Sequence, residues 1–168
     1  MIFVQYIVSS LDKIKVMALR VFVFLLINFA ALGVGGFFTG KGVPSEWYLN
    51  LNKAPWTPPG WVFGAAWTSI MICFSFFMAH WWKVEANRNY LLFLFTLQWL
   101  LNVLWNPAFF YFHESALALL LIVALTLLVT YFLFSLWPVL KFKTAFILPY
   151  FLWLLIATSL NAYIVLKN

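Results

Sequence analysis

Two sets of side chains in this chain are spaced to act together. Gln98, Asn102, Trp105 and Phe109 recur at intervals of 4, 3 and 4, and Tyr150, Trp153, Ala157 and Asn161 at 3, 4 and 4. Each spacing marks one face of a helix. The first face offers carboxamides beside aromatic rings. The second offers a tyrosine and a tryptophan next to a small residue. Such faces can hold a flat, largely apolar guest between rings and give it a few hydrogen bonds. They can also bind helix to helix, the amides by hydrogen bonds and Ala157 by close packing. Asn106–Pro107 favours a gap, because Pro107 removes a backbone hydrogen bond and frees a carbonyl one turn back, beside the amides. Trp67 adds a ring four residues after Phe63 on the same side, while Phe74 reads as core.

Most other chemistry is excluded by what is missing. The acids Asp12, Glu46, Glu85 and Glu114 fall at the ends of apolar runs or between them, so no ionisable group stands in mid-run to relay protons or ions. His80, His113 and the lone Cys73 have no metal-ligand spacing, and Cys73 has no disulfide partner. Neither a paired-carboxylate site, a Ser/His/Asp set nor a phosphate-cradling glycine loop can be assembled. The expectation is a binding site with no metal and no required cofactor.

The elements that carry these faces are membrane helices. The 168 residues are 66% hydrophobic and 8% charged, against about a quarter charged in a soluble domain. The net charge of +6 comes from ten Lys and Arg thinly spread at the flanks of apolar runs, which suits a lipid bilayer rather than a nucleic acid. Five runs, at about 16–38, 61–82, 90–112, 115–137 and 144–166, are each near the ~20 residues that span a bilayer core. They are uniformly apolar rather than alternating, so they read as helices and not barrel strands. Pro44, "KVEANRN", "HES" and Pro138 separate them, and the whole reads as one five-helix domain. The first run is too long for a signal peptide. Lys13, Lys15, Arg20, Lys83, Arg88, Lys141 and Lys143 gather at one end, against Lys41, Lys53 and Lys167 at the other. This predicts a cytoplasmic N-terminus and an outer C-terminus.

Between the first two runs lies "WYLNLNKAPWTPPGW", residues 47–61. Interfacial tryptophans usually form only a belt, which accounts for Trp81, Trp82 and Trp137. A belt has no use for Pro55, Pro58 and Pro59, which hold the chain extended and cut its freedom. The expectation is a stiff lid over a pocket in the bundle, with Trp47, Trp56, Pro59 and Trp61 as its members.

The same stretch, extended to "WYLNLNKAPWTPPGWVFGAAW", resembles the hallmark of the translocator protein family, also called tryptophan-rich sensory proteins, TspO/MBR or the peripheral benzodiazepine receptor. Trp47, Tyr48, Leu51, Lys53, Trp56, Pro58, Pro59, Trp61 and Trp67 fall on the family's pattern. "QWLLNVLWNPAFF" and "LPYFLWLLIATSLN" resemble its third- and fifth-helix patterns, in order. The resemblance implies a five-helix bundle, commonly a homodimer in a bacterial cell membrane. It implies a pocket for tetrapyrroles such as protoporphyrin IX and haem, formed by Tyr48, Pro58, Trp67, Asn102, Trp153 and Ala157, with Trp105, Phe109 and Tyr150 nearby. Ala54 departs from the family's usual Pro, the fourth run lacks the family's Asp, and Ala162 stands where the family's sterol motif has Tyr.

The function expected is therefore a membrane receptor or sensor for porphyrin-like ligands, with transport as an extension. The resemblance also allows a light- and oxygen-dependent porphyrin-degrading enzyme, in which Trp67 and Trp153 would be the catalytic redox partners. A dimeric small-molecule transporter is a third reading, weakened by the absence of inverted repeats.

Overall fold

The computed structural model describes the backbone of residues 2–168 and the side chains from Ser10 onward. Six α-helices follow one another: α1 Ile2–Gly42, the short α2 Glu46–Asn50, α3 Gly60–Val84, α4 Arg88–Phe110, α5 Ser115–Leu140 and α6 Leu148–Lys167. A 3-10 turn, Lys141–Ile147, joins α5 to α6. Five of these helices are of membrane-crossing length, and no strand occurs among the described residues. An apolar solvent cannot hydrogen-bond the backbone, so each apolar run satisfies its own N–H and C=O groups in a helix. The polar breaks supply the caps. The Ser45 side chain accepts from the Tyr48 N–H to start α2, and the Asn87 side chain accepts from the Tyr90 N–H to start α4.

Each long helix packs mainly on two others, and these contacts close a ring in the order α1, α3, α6, α5, α4 and back to α1. Outward-facing Leu19, Phe22, Leu26, Phe93, Leu120, Leu127, Phe134 and Leu152 are exposed, giving the ring an apolar belt on the outside. An apolar exterior on helices of this length makes the chain a multi-pass integral membrane protein.

The two halves of the ring differ because the sequence fills them differently. In the half nearer the α3–α4 turn, Phe74, Phe77, Met78, Trp81, Leu91, Phe95, Leu125, Val129, Phe132 and Ile147 form a closed core. Asn28 Nδ2 donates to Ser75 Oγ at 2.9 Å between α1 and α3 here, while Gln98 Oε1 and Thr144 Oγ1 are buried without a partner among the described residues. Toward the other end the inward positions of α1 and α3 include Ala31, Gly36, Gly40, Gly60 and Gly64. Small residues leave space there that large ones fill below.

Four boundaries differ by three residues or more from those the sequence suggests. α1 starts well before residue 16 and continues past 38 to Gly42. α5 runs through Pro138 to Leu140, since a proline in the last turn forfeits only one bond to a carbonyl one turn back. The chain reverses instead at Lys141, whose φ of 52° and ψ of −132° lie outside the helical region, and the 3-10 turn delays the last helix to Leu148. Residues 46–50, expected as loop, form the single turn and a half of α2.

Gly42, the last residue of α1, leaves room for nothing larger than glycine. A Cβ built on Gly42 would collide with the Cβ and ring of Phe110, whereas one on Gly40 meets nothing within 4 Å. Gly42→Ala is therefore expected to lower stability by about 1–3 kcal/mol through overpacking. Gly40→Ala, with open space in front of it, should be neutral or gain up to about 1 kcal/mol of helix propensity. Thermal unfolding in detergent checks the pair, and equal midpoints would contradict the close approach.

Candidate functional site

The open half of the ring encloses a cavity of about 740 Å³. That is within the roughly 300–1,000 Å³ of small-molecule sites. Its walls come from the C-terminal half of α1, the start of α3, the end of α4 and the C-terminal half of α6, and residues 43–58 help to close its mouth. Glycines make the space. A Cβ on Gly36, Gly40, Gly60 or Gly64 would meet no neighbour within 4 Å, and all four line the cavity. Glycine inside a helix costs about 1 kcal/mol relative to alanine, so this run of them needs a reason other than helix stability.

The closed end of the cavity is aromatic. Trp153 meets Phe63 edge-on at 5.3 Å between ring centroids, and both line the cavity with Trp67. Trp67 is braced from beyond the wall by Tyr150 at 6.0 Å. Toward the mouth, Trp105 stacks on Phe109 at 5.4 Å with their planes 10° apart. A few polar groups interrupt the rings. Thr39 Oγ1 donates to Asn106 Oδ1 at 3.0 Å, and Asn106 Nδ2 donates to the Asn102 carbonyl at 3.3 Å. Trp105 Nε1 donates to Asn161 Oδ1 at 3.0 Å, and Asn161 Nδ2 donates to the Ser115 carbonyl at 2.9 Å, so this amide ties α4, α5 and α6. Asn102 differs from these. Its side chain is 7% exposed and lines the cavity, yet among the described residues its carboxamide has no hydrogen-bond partner. Its amide opens on the cavity, whereas Trp153 Nε1 in the same wall is buried without a hydrogen-bond partner among the described residues, at a cost on the order of 1–3 kcal/mol unless something else meets it.

The segment over the mouth is a strap fastened at its edges. Pro55 occupies the second position of a turn closed by Thr57 N–H to the Ala54 carbonyl at 2.9 Å, which suits a ring-locked φ. Trp47 stacks on His113 at 4.2 Å and meets Phe109 at 5.3 Å, anchoring the strap on the α4–α5 turn. Trp56 Nε1 donates to Ser159 Oγ at 3.1 Å, and its ring meets Tyr163 at 5.4 Å, anchoring it on α6. The Asn52 N–H donates to Asn168 Oδ1 at 2.9 Å, and Asn52 Nδ2 to the Lys167 carbonyl at 3.2 Å. The inner surface of the strap is Val43, Pro44, Tyr48, Lys53, Thr57 and Pro58. Burial pushes the Tyr48 phenol above its ordinary pKa, so it faces the cavity as a neutral hydroxyl.

The structure thus brings together Tyr48, Pro58, Trp67, Asn102, Trp105, Phe109, Trp153 and Ala157 around one cavity. It corrects the placement of the rest. Tyr150 is 1% exposed and lies outside the cavity wall, its hydroxyl accepting from Gln98 Nε2 at 2.7 Å. It shares a helix face with Trp153 but sits one turn deeper, in the filled half. Trp47 and Trp56 pack on Phe109, His113 and α6 and are not part of the cavity lining. Trp61 is 75% exposed at the start of α3, and Pro59 caps that helix just outside the lining.

A sequence model of the TspO/MBR family matches residues 22–166. The chain belongs to the TspO/MBR family. It is 35% identical over 118 residues to the tryptophan-rich sensory protein of Cereibacter sphaeroides, covering 70% of this chain and 74% of that one. Protein CrtK of Rhodobacter capsulatus is 32% identical over 151 residues, 86% of this chain and 91% of that protein. The human translocator protein is 28% identical over 129 residues, 74% of this chain and 75% of that one. The TspO/MBR match begins inside α1 and ends inside α6, so it takes in the strap and every wall of the cavity.

Sequence reasoning missed one whole wall of this TspO/MBR cavity, namely Ala31, Leu32, Gly35, Gly36, Thr39 and Gly40 on α1. The signal was the glycine cluster "GVGGFFTG" (residues 33–40) in the middle of an apolar helix. Asn106 and Lys53 were also missed as lining residues. Asn106 stood in the sequence beside the amide stripe, and Lys53 within the strap motif.

Proposed function

We propose that this membrane protein is a receptor or sensor that binds a flat, largely apolar tetrapyrrole, such as protoporphyrin IX or haem, between the aromatic walls of the cavity. The observation that carries the reading is the free Asn102 carboxamide in a pocket whose wall includes the rings of Trp67, Trp105, Phe109 and Trp153. Rings stack on a planar guest, and one or two unspent polar groups fix its orientation. Two of the similar proteins carry names that support this class of role, a tryptophan-rich sensory protein and a translocator protein. The proposed orientation places the strap on the outer side of the membrane, following the lysine and arginine bias. Titrating the detergent-solubilised protein with protoporphyrin IX in the dark should give saturable binding with quenching of tryptophan emission. Partitioning no greater than into empty micelles would remove the reading.

A second reading is favoured by one observation, that both Trp67 and Trp153 stand in the wall. An indole beside a light-excited porphyrin can exchange an electron with it, with dioxygen as the terminal oxidant, and the porphyrin would be degraded. Trp153→Phe keeps an aromatic ring of similar shape. On this reading it should abolish light-driven loss of the porphyrin absorbance while changing dark affinity less than about threefold. Equal photolysis by parent and variant would remove the enzymatic reading and leave binding untouched.

A further inference from the structure

The cavity's charge is as one-sided as its shape. Among its lining residues Lys53 is the sole charged side chain, and none of the four acids of the chain lines it. The other cations at this end stand apart. Lys41 lies over the Phe37 ring at 4.1 Å and does not line the cavity, and neither does Lys167.

Lys53 is also held in place. Its half-buried side chain extends back along the strap, where Nζ donates to the Leu49 carbonyl at 3.2 Å and to the Leu51 carbonyl at 3.5 Å. The ammonium lies 4.7 Å above the centre of the Tyr48 ring, itself part of the wall. An ammonium has three donors, and two are spent on these carbonyls. One donor and the full positive charge remain at the rim of an apolar chamber. A charge fixed beside a low-dielectric space attracts an opposite charge more strongly than it would in bulk water. At a rim, moreover, a partner anion keeps part of its hydration, so desolvation does not cancel the gain.

We infer that Lys53 is the specificity-determining residue of the cavity, and that it selects guests bearing a carboxylate on the edge that faces the strap. The inference rests on the tetrapyrrole reading of the site and refines it: the flat body goes to the rings and Asn102, and the acidic edge to Lys53. Free-acid porphyrins, which carry propionate groups along one edge, have this chemistry, and their neutral esters lack it.

The test compares protoporphyrin IX with its dimethyl ester, both titrated in the dark against the full-length protein, Lys53→Met, Lys53→Arg and Lys41→Met. The parent and Lys41→Met should bind the free acid at least about tenfold more tightly than the ester. Lys53→Met should lose that preference by weakening the acid alone, its retained ester affinity showing that the strap is still folded. Lys53→Arg should restore most of the preference. Equal affinity of the parent for acid and ester would overturn the inference while leaving the tetrapyrrole reading intact. Equal weakening of both ligands in Lys53→Met would also overturn it, assigning Lys53 to the strap's backbone carbonyls only. Failure of the parent to bind either porphyrin would overturn the tetrapyrrole reading itself, and the inference with it.

Discussion

Replacing Ala157 by leucine is expected to reduce porphyrin affinity by about tenfold or more while the bundle still folds. Ala157 lies on α6 one turn from Trp153 and lines the same cavity. A leucine there adds volume where a planar guest has to lie against the rings. Overpacking of this kind costs roughly 1–3 kcal/mol, which in a binding site is on the order of 5–150-fold in affinity. Ala157→Thr, smaller and able to back-bond to its own helix, should lose less. Dark titration of the two variants and the parent reads the order directly. A folded leucine variant with the parent's affinity would place the guest elsewhere.

The second large effect concerns the strap. Pro58 forms part of its inner surface, and Pro59 leads directly into α3. Prolines limit the conformations open to the free segment, so less order has to be imposed when a guest is enclosed. Each compatible proline is worth about 0.4–1 kcal/mol. Replacing both by alanine should therefore speed porphyrin release by about 4–30-fold, with a smaller change in association. The anchors at Trp47, Asn52 and Trp56 are untouched, so the strap stays attached and only its stiffness falls. Stopped-flow release from the double variant checks this. An off-rate equal to the parent's would mean that the anchors alone set the closure.

These two predictions draw on features of different legibility. The amide stripe of α4 and the Trp153/Ala157 face of α6 could be read from spacing because polar and small residues on one side of an apolar helix have to face protein. Depth along the helix is another matter. Tyr150 keeps the same face as Trp153 but falls into the filled half, and periodicity carries no information on which turn meets a cavity. The α1 wall is not legible from periodicity because glycine and alanine have no side-chain polarity to mark a face. It is defined only by the neighbour order of the ring, which hydropathy does not encode. The strap's tryptophans were recognisable as unusual, but their direction is set by partners more than 60 positions away, as with Trp56 and Ser159 or Trp47 and His113. Helix number and membrane class, by contrast, follow from run length and composition, which is why they needed no tertiary information.

The proposed binding mode puts a tetrapyrrole inside the ring of helices, against Trp67 and Trp153 and within reach of the Asn102 amide. A structure of the protein grown with protoporphyrin IX in the dark tests it most directly. Planar density is expected in the cavity beneath residues 43–58, its polar edge toward Lys53 and its face against the tryptophans. An empty cavity with porphyrin bound on the lipid-facing outside of the helices would contradict it.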